Sequence, residues 1–179
     1  MTRVGYAPGC FDLFHIDHLN LLRRAKGECD FLIAGVVSDE ILTTHKGITP
    51  VVPLPERLEI VRNVRFVDAA FPAMTADKLE IWRTLRFDVL LKGDDWRGTA
   101  KGEQLERDFK AVGVEVVYLP YTMSTSSTAL RTKSRAVGSP AGNDGRTMQT
   151  ADCSSAAAVW DNMVNGSSRN ISPVWPMGD

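Results

Sequence analysis

Short apolar runs alternate with amphipathic stretches through most of the chain, and that alternation is the tightest constraint on its fold. Strand candidates are Val4 to Ala7, Phe31 to Val37, Phe66 to Phe71, Val89 to Lys92 and Val114 to Leu119, each compact and rich in β-branched or aromatic residues. Helical stretches lie between them over Leu19 to Ala25, Glu56 to Val64, Ala76 to Leu85 and Gln104 to Ala111, and Thr128 to Arg135 follows the last strand. Leu58, Val61 and Val64 recur at helical spacing, as do Leu79, Trp82 and Leu85. The pattern predicts a Rossmann-like α/β fold, a parallel five-stranded sheet with helices on both faces. Ligands of such sheets bind beyond the carboxyl ends of the strands, so the residues just after each strand carry the functional information.

Composition narrows the classes of partner. The chain has 179 residues, with 21 Lys and Arg against 22 Asp and Glu and a pI near 6.3. That balance excludes a general nucleic-acid binder, which needs a basic footprint, so an anionic ligand must meet locally placed cations. No apolar run approaches the ~18 residues of a membrane span, and the amino terminus does not read as a secretory leader. A cytoplasmic protein without membrane partners is expected. Cys10, Cys29 and Cys153 are far apart and odd in number, which reads as isolated reduced thiols. From Gly138 onward the chain has no Lys and no Glu and is rich in Gly, Ser, Asn and Pro. Such a stretch offers little apolar periodicity against its ordering entropy. The expected organisation is one folded domain over 1–137 and a low-complexity flexible tail over 138–179, with Ala156 to Trp160 as a short helix candidate.

Four groups follow the strands. After the first comes Gly9-Cys10-Phe11-Asp12, then His15 and His18, three apart at the opening of a helix. Both rings can face one object there, beside free backbone N–H groups and the positive end of the helix dipole. Three readings stay open: a phosphate cradle, a metal site using His15, His18 and Asp12, or ordinary polar residues at a helix cap. After the second strand, Lys46 sits in a Gly/Pro-rich loop, Arg57 opens a helix and Arg65 precedes the third strand. The arginines are either phosphate clamps or surface cations. The fourth strand runs into Lys92-Gly93-Asp94-Asp95-Trp96, whose acids can orient sugar hydroxyls, a metal or a basic residue, or can cap a turn. The last group, Thr122 to Thr128, holds more hydroxyls than one helix cap needs and can embrace a triphosphate.

Taken together, Gly9-Cys10-Phe11-Asp12 with His15 and His18, Arg65-Phe66-Val67-Asp68, Gly93-Asp94-Asp95-Trp96, and Val116-Val117-Tyr118-Leu119-Pro120 leading to Ser126-Ser127-Thr128 resemble the cytidylyltransferase family. This is a branch of the HxGH-type nucleotidyltransferases, and the bacterial glycerol-3-phosphate cytidylyltransferases are the most similar branch. The resemblance implies transfer of CMP from CTP to a small alcohol phosphate, with glycerol 3-phosphate the first expectation, giving a CDP-alcohol and pyrophosphate. It implies that His15 and His18 contact the nucleotide phosphates, that Tyr121, Thr122, Ser126, Ser127 and Thr128 line the triphosphate, and that Lys46 reaches the reacting groups. Arg57, Arg65 and Lys78 would bind the incoming phosphomonoester. Asp95 and Trp96 would lie on the nucleoside side, with Cys10, Phe11 and Asp12 beneath it. Magnesium and a homodimer are implied as well, and the metal-site reading of the histidines recedes. An adenylyl-transferring relative acting on a sugar phosphate or flavin precursor, or a catalytically weakened nucleotide binder, is the alternative. Two departures stand out: Asp17 replaces the glycine of HxGH, and Tyr121-Thr122-Met123 lacks the arginine that opens the family's RTxGIS segment. Both lower the positive potential where a triphosphate should lie.

Overall fold

In the computed structural model, residues 1–120 and 126–136 are described, and all statements below refer to them. Five strands, β1 (Val4–Gly9), β2 (Phe31–Val37), β3 (Ala69–Ala73), β4 (Val89–Gly93) and β5 (Glu115–Leu119), form one parallel sheet in the order β3-β2-β1-β4-β5. The helices are α1 (Ile16–Gly27), α2 (Asp39–Lys46), α3 (Leu54–Arg62), α4 (Lys78–Leu85), α5 (Ala100–Lys110) and α6 (Ser127–Ala136), and Asp94–Trp96 makes a single 3-10 turn. This is the expected Rossmann-like α/β architecture. The inner strands carry continuous apolar runs because both of their faces are covered: Tyr6, Ala7, Leu32, Ile33, Ala34, Val36, Val89, Leu90 and Leu91 are all buried.

Strand order reverses between β1 and β4, and the pairing there is short. The two strands are in register at Gly5–Val89 and Tyr6–Leu90, whereas β1 continues along β2 to Gly9 and β4 continues along β5 to Gly93. Their carboxyl halves therefore part, and a crevice opens at the topological switch point.

Two elements differ from the sequence expectation. Lys46 is not in a loop but is the last residue of α2, which Ser38 caps by accepting from the Ile41 N–H and which Gly47 ends at φ 62. The third strand begins at Ala69 rather than Phe66. The preceding residues turn instead, and the Asp68 carboxylate accepts from the Leu32 N–H at 2.6 Å and from Lys26 Nζ at 2.6 Å. Pro72 is tolerated within β3 because that strand is a sheet edge. No helix among the described residues is long and apolar enough to cross a membrane. The expected boundary at Val137, the tail helix candidate, and Tyr121 and Thr122 lie outside the described residues.

Candidate active site

The loop between β1 and α1 is held in an uncommon backbone shape. Phe11 and Leu13 have φ of 52° and 48°, a left-handed conformation that costs non-glycine residues on the order of 1–2 kcal/mol each. Gly9 has to lack a side chain, since a Cβ there would come within 2.7 Å of the Phe11 ring. Phe11 is buried and meets His18 edge-on at 5.4 Å between centroids.

Asp12 ties this loop to two distant segments. Its buried carboxylate accepts from the Val51 N–H at 3.1 Å, from the Val52 N–H at 2.9 Å and from Arg131 on α6 at 2.8 Å. Burial works against the charge, but the Arg131 and backbone hydrogen bonds outweigh it and hold the carboxyl below its ordinary range. Ser127 Oγ, also on α6, donates to the Asp12 carbonyl at 2.8 Å and lies 3.2 Å from His15 Nε2. The histidine loop and the start of α6 thus form one unit.

His15 is the N-cap of α1, its Nδ1 accepting from the Asp17 N–H at 3.3 Å. The neutral ring consequently carries its proton on Nε2 and donates it toward Ser127. The His15 and His18 rings lie 4.0 Å apart. Burial, then the neighbouring His15, push His18 down to about 4, against the pull of Asp17 and Asp12. Burial likewise lowers His15, with Asp17 opposing. At neutral pH both rings are therefore neutral, and they sit at a helix amino end. The metal-site reading loses its third ligand, because the Asp12 carboxylate is occupied by Val51, Val52 and Arg131.

Across the crevice, β4 and α4 supply cations. Lys92 Nζ lies 4.3 Å and Lys78 Nζ 5.2 Å from the Trp96 ring centroid, and all three residues are half-buried. Burial, then Lys78 and Lys46, lower Lys92 to about 8, with Asp95 opposing. Burial and Lys46 lower Lys78 as well, against Asp77. Gly102 of α5 lets the helix approach Trp96, since a Cβ there would collide with the Trp96 carbonyl oxygen. A cleft of about 390 Å³ opens beside Trp96 and Lys78, lined also by Lys101, Gln104, Leu105 and Asp108 of α5.

The structure brings His15, His18 and Ser127 together on one side of the crevice and Lys78 and Trp96 on the other, with Lys46 acting electrostatically on the second group. Ser126 caps α6, its Oγ accepting from the Ala129 N–H at 3.1 Å, and Thr128 is exposed on the same turn. Asp95 is exposed on the 3-10 turn, and the Cys10 carbonyl accepts from Arg57.

Two expected phosphate ligands are corrected. Arg57 is fully buried and donates to the carbonyls of Val52, Cys10 and Val37 and to Asp39 at 2.5 Å, so it braces the loops and faces no ligand. Arg65 precedes β3, at the amino edge of a sheet whose site lies at the carboxyl edge, and its guanidinium lies 5.5 Å from the Phe66 ring. Asp12 and Phe11 also turn inward, as scaffold of the loop. Lys92 is the residue that the sequence reading passed over, because a lysine followed by two acids looks like part of a turn.

The model of the cytidylyltransferase-like family matches residues 6–133. The chain belongs to the cytidylyltransferase-like family. It is 40% identical over 95 residues to an ethanolamine-phosphate cytidylyltransferase of Arabidopsis thaliana, covering 50% of this chain and 22% of that protein. It is 41% identical over 96 residues to the bifunctional protein HldE of Gluconacetobacter diazotrophicus, covering 53% of this chain and 20% of that protein. The chain thus spans only about a fifth of the length of these two relatives. An FAD synthase of Pyrococcus horikoshii is 34% identical over 116 residues, which are 63% of this chain and 77% of that protein. All three relatives are in the nucleotidyltransferase superfamily. Among solved structures, a lipopolysaccharide core biosynthesis protein from Thermoplasma volcanium superposes with a TM-score of 0.59 at 20% identity, over 70% of this chain and all of that one. That likeness concerns the cytidylyltransferase-like fold alone.

Proposed function

We propose that this cytidylyltransferase-like chain is a nucleotidyltransferase that moves CMP from CTP to a small alcohol phosphate, glycerol 3-phosphate first, releasing pyrophosphate. The observation that carries the reading is the pair of neutral histidines at the start of α1, their rings 4.0 Å apart and His15 joined to Ser127 of α6, in a fold that also gathers Lys78 and Lys92 at the Trp96 ring. The reaction is in-line attack of a phosphomonoester oxygen on the α-phosphorus of CTP: the new P–O bond forms as the bond to the pyrophosphate oxygen breaks. Two anions must meet, so the barrier is electrostatic and positional, and no covalent nucleophile is needed. His15 and His18 would donate to phosphoryl oxygens as charge develops, and the amino end of α6 at Ser126, Ser127 and Thr128 would hold the triphosphate tail. Magnesium suits this donor set as an ion carried on the triphosphate oxygens, because Asp12 is already occupied; when bound it supplies charge neutralisation. The homodimer and the cytoplasmic location belong to the same proposal, and sedimentation of the full chain tests the dimer.

The similarity to an FAD synthase across 77% of that protein favours one second reading, adenylyl transfer from ATP. Pyrophosphate release measured with CTP or ATP against a panel of phosphomonoesters separates the two. The proposal expects CTP with glycerol 3-phosphate to be the most active pair. Activity confined to ATP favours the second reading, and no acceptor-dependent release with either nucleotide defeats both.

A further inference from the structure

Strand β5 is stopped by Pro120, and the carbonyl of that proline is taken by a helix. The ladder with β4 ends at the pair Gly93–Leu119, and Pro120 has no N–H with which to extend it. The Pro120 carbonyl accepts instead from Nη1 of Arg24 on α1. Arg24 stands in the last turn of α1, where a cation suits the negative end of the helix dipole, and no ion pair among the described residues includes it. Its neighbours Leu22 and Ala25 share one buried cluster with Leu119. The contact thus sits on a packed junction of helix and strand.

Helix α1 meets the same stretch of chain a second time. At its N-cap, His15 Nε2 lies 3.2 Å from Ser127 Oγ, and Ser127 in turn donates to the Asp12 carbonyl. Seven steps of chain separate Pro120 from Ser127 and can reach roughly 23 Å, whereas the nine steps of helix from His15 to Arg24 fix about 13–14 Å. Connectivity alone therefore leaves the start of α6 a wide choice of position. Two contacts from one rigid helix, at Pro120 and at Ser127, remove that choice. Asp12 and Arg131 secure α6 beyond Ser127, which makes Arg24 the anchor on the strand side.

We infer that Arg24 is a positioning residue for the triphosphate end of the nucleotide: by holding the Pro120 carbonyl to α1 it sets where Ser126, Ser127 and Thr128 stand relative to His15. It acts through the backbone at the exit of β5, not as a phosphate ligand. The inference rests on the transfer reading above, which puts the triphosphate tail at the amino end of α6, and names the residue that keeps that end in place.

Two measurements on the full chain test it: NMR of the His15 ring without ligand, and calorimetric titration with α,β-methylene CTP against CMP, or with the adenine pair where ATP is the active nucleotide. Arg24→Met keeps most of the stem and removes the donor, while Arg23→Met removes the same charge one residue earlier and leaves the Pro120 contact intact. In Arg24→Met the His15 ring signals should shift in the direction seen in Ser127→Ala. Affinity for the triphosphate analogue should fall about fivefold to tenfold, the size of one hydrogen bond to a charged group. The monophosphate, which lacks the β- and γ-phosphates, should stay within about twofold. Arg24→Lys, which can still donate to the carbonyl, should recover most of the loss, and Arg23→Met should change neither readout. Four results would overturn the inference: unmoved His15 signals in Arg24→Met, unchanged analogue affinity, an equal loss in Arg23→Met, or a lowered thermal midpoint with parallel loss of both nucleotides. The third reduces Arg24 to a distant charge and the fourth makes it structural, and pyrophosphate release by the unsubstituted chain leaves the transfer reading standing in each case. Analogue binding that depends on Arg24, in a chain that releases no pyrophosphate with any acceptor, upholds the positioning role and defeats the transfer reading.

Discussion

The two sides of the crevice solve opposite problems. On the β1–α1 side, most polar groups are tied to protein partners, His18 Nδ1 and Arg131 Nε excepted: His15 to Ser127 and the Asp17 N–H, Ser127 to the Asp12 carbonyl, Asp12 to Arg131 and the Val51 and Val52 N–H groups. On the β4–α4 side, two lysines crowd an indole and, among the described residues, form no ion pair, although Asp95 and Asp77 act on them at longer range. The first arrangement is preorganised and electrically quiet, so its cost was met in folding. The second retains like-charge repulsion, opposed by Asp77 and Asp95. Substitutions on the first side should therefore reach stability as well as rate, and those on the second should reach binding alone.

The largest stability effect is expected at Arg57, itself fully buried, whose loss would leave three partly buried carbonyls and the half-exposed Asp39 without their donor. Arg57→Leu should lower the unfolding free energy by about 3–5 kcal/mol in urea titrations. A loss below about 1 kcal/mol would show that the loops hold without this brace. Next comes His15→Ala, expected to slow pyrophosphate release about 10²- to 10³-fold, as for other removed transition-state donors. An undiminished rate would separate His15 from the chemistry. Asp12→Asn should cost about 1.5–3 kcal/mol by weakening the tie to α6. A double-mutant cycle with Arg131→Met locates that loss in the pair, and additive effects would place it elsewhere.

The pH response carries a definite sign. His18 titrates at about 4 in the folded chain and near 6.5 when unfolded, so between these values the unfolded chain takes up a proton that the folded one refuses. Stability should fall as pH drops from about 6.5 to about 4. His18→Gln should flatten that limb, and an unchanged profile would show that His18 protonates freely. The smallest effect is expected at Asp17, whose negative charge acts on both histidines. Asp17→Gly, which restores the glycine of the family pattern, should raise CTP affinity or turnover about two- to tenfold. No gain in either would show that Asp17 is harmless to the nucleotide.

Much of this was legible in the chain because the signals were local. Alternating apolar runs announce β1, β2, β4 and β5, and the switch-point rule directs attention to His15, His18 and Trp96. What escaped depends on distant partners. Arg57 and a phosphate-binding arginine look alike in sequence, and only the convergence of Val37, Cys10 and Val52 carbonyls shows that this one is enclosed. Arg65 was misplaced because β3 begins three residues later than its aromatic start suggests, which leaves Arg65 at the amino edge of the sheet. Helix α2 did announce itself, through Ser38, two acids in its first turn and Gly47, yet its flanking Gly and Pro drew the segment toward a loop reading. Lys92 becomes meaningful only when α4 carries Lys78 to the Trp96 ring.

Phosphorus NMR of the full chain with CTP, magnesium and glycerol 3-phosphate tests the central claim of nucleotidyl transfer most directly. The account predicts the coupled pair of resonances of a CDP-alcohol appearing together with pyrophosphate in equal amount. CMP or CDP without a new diphosphodiester, or an unchanged spectrum across CTP, ATP and the acceptor panel, would contradict it.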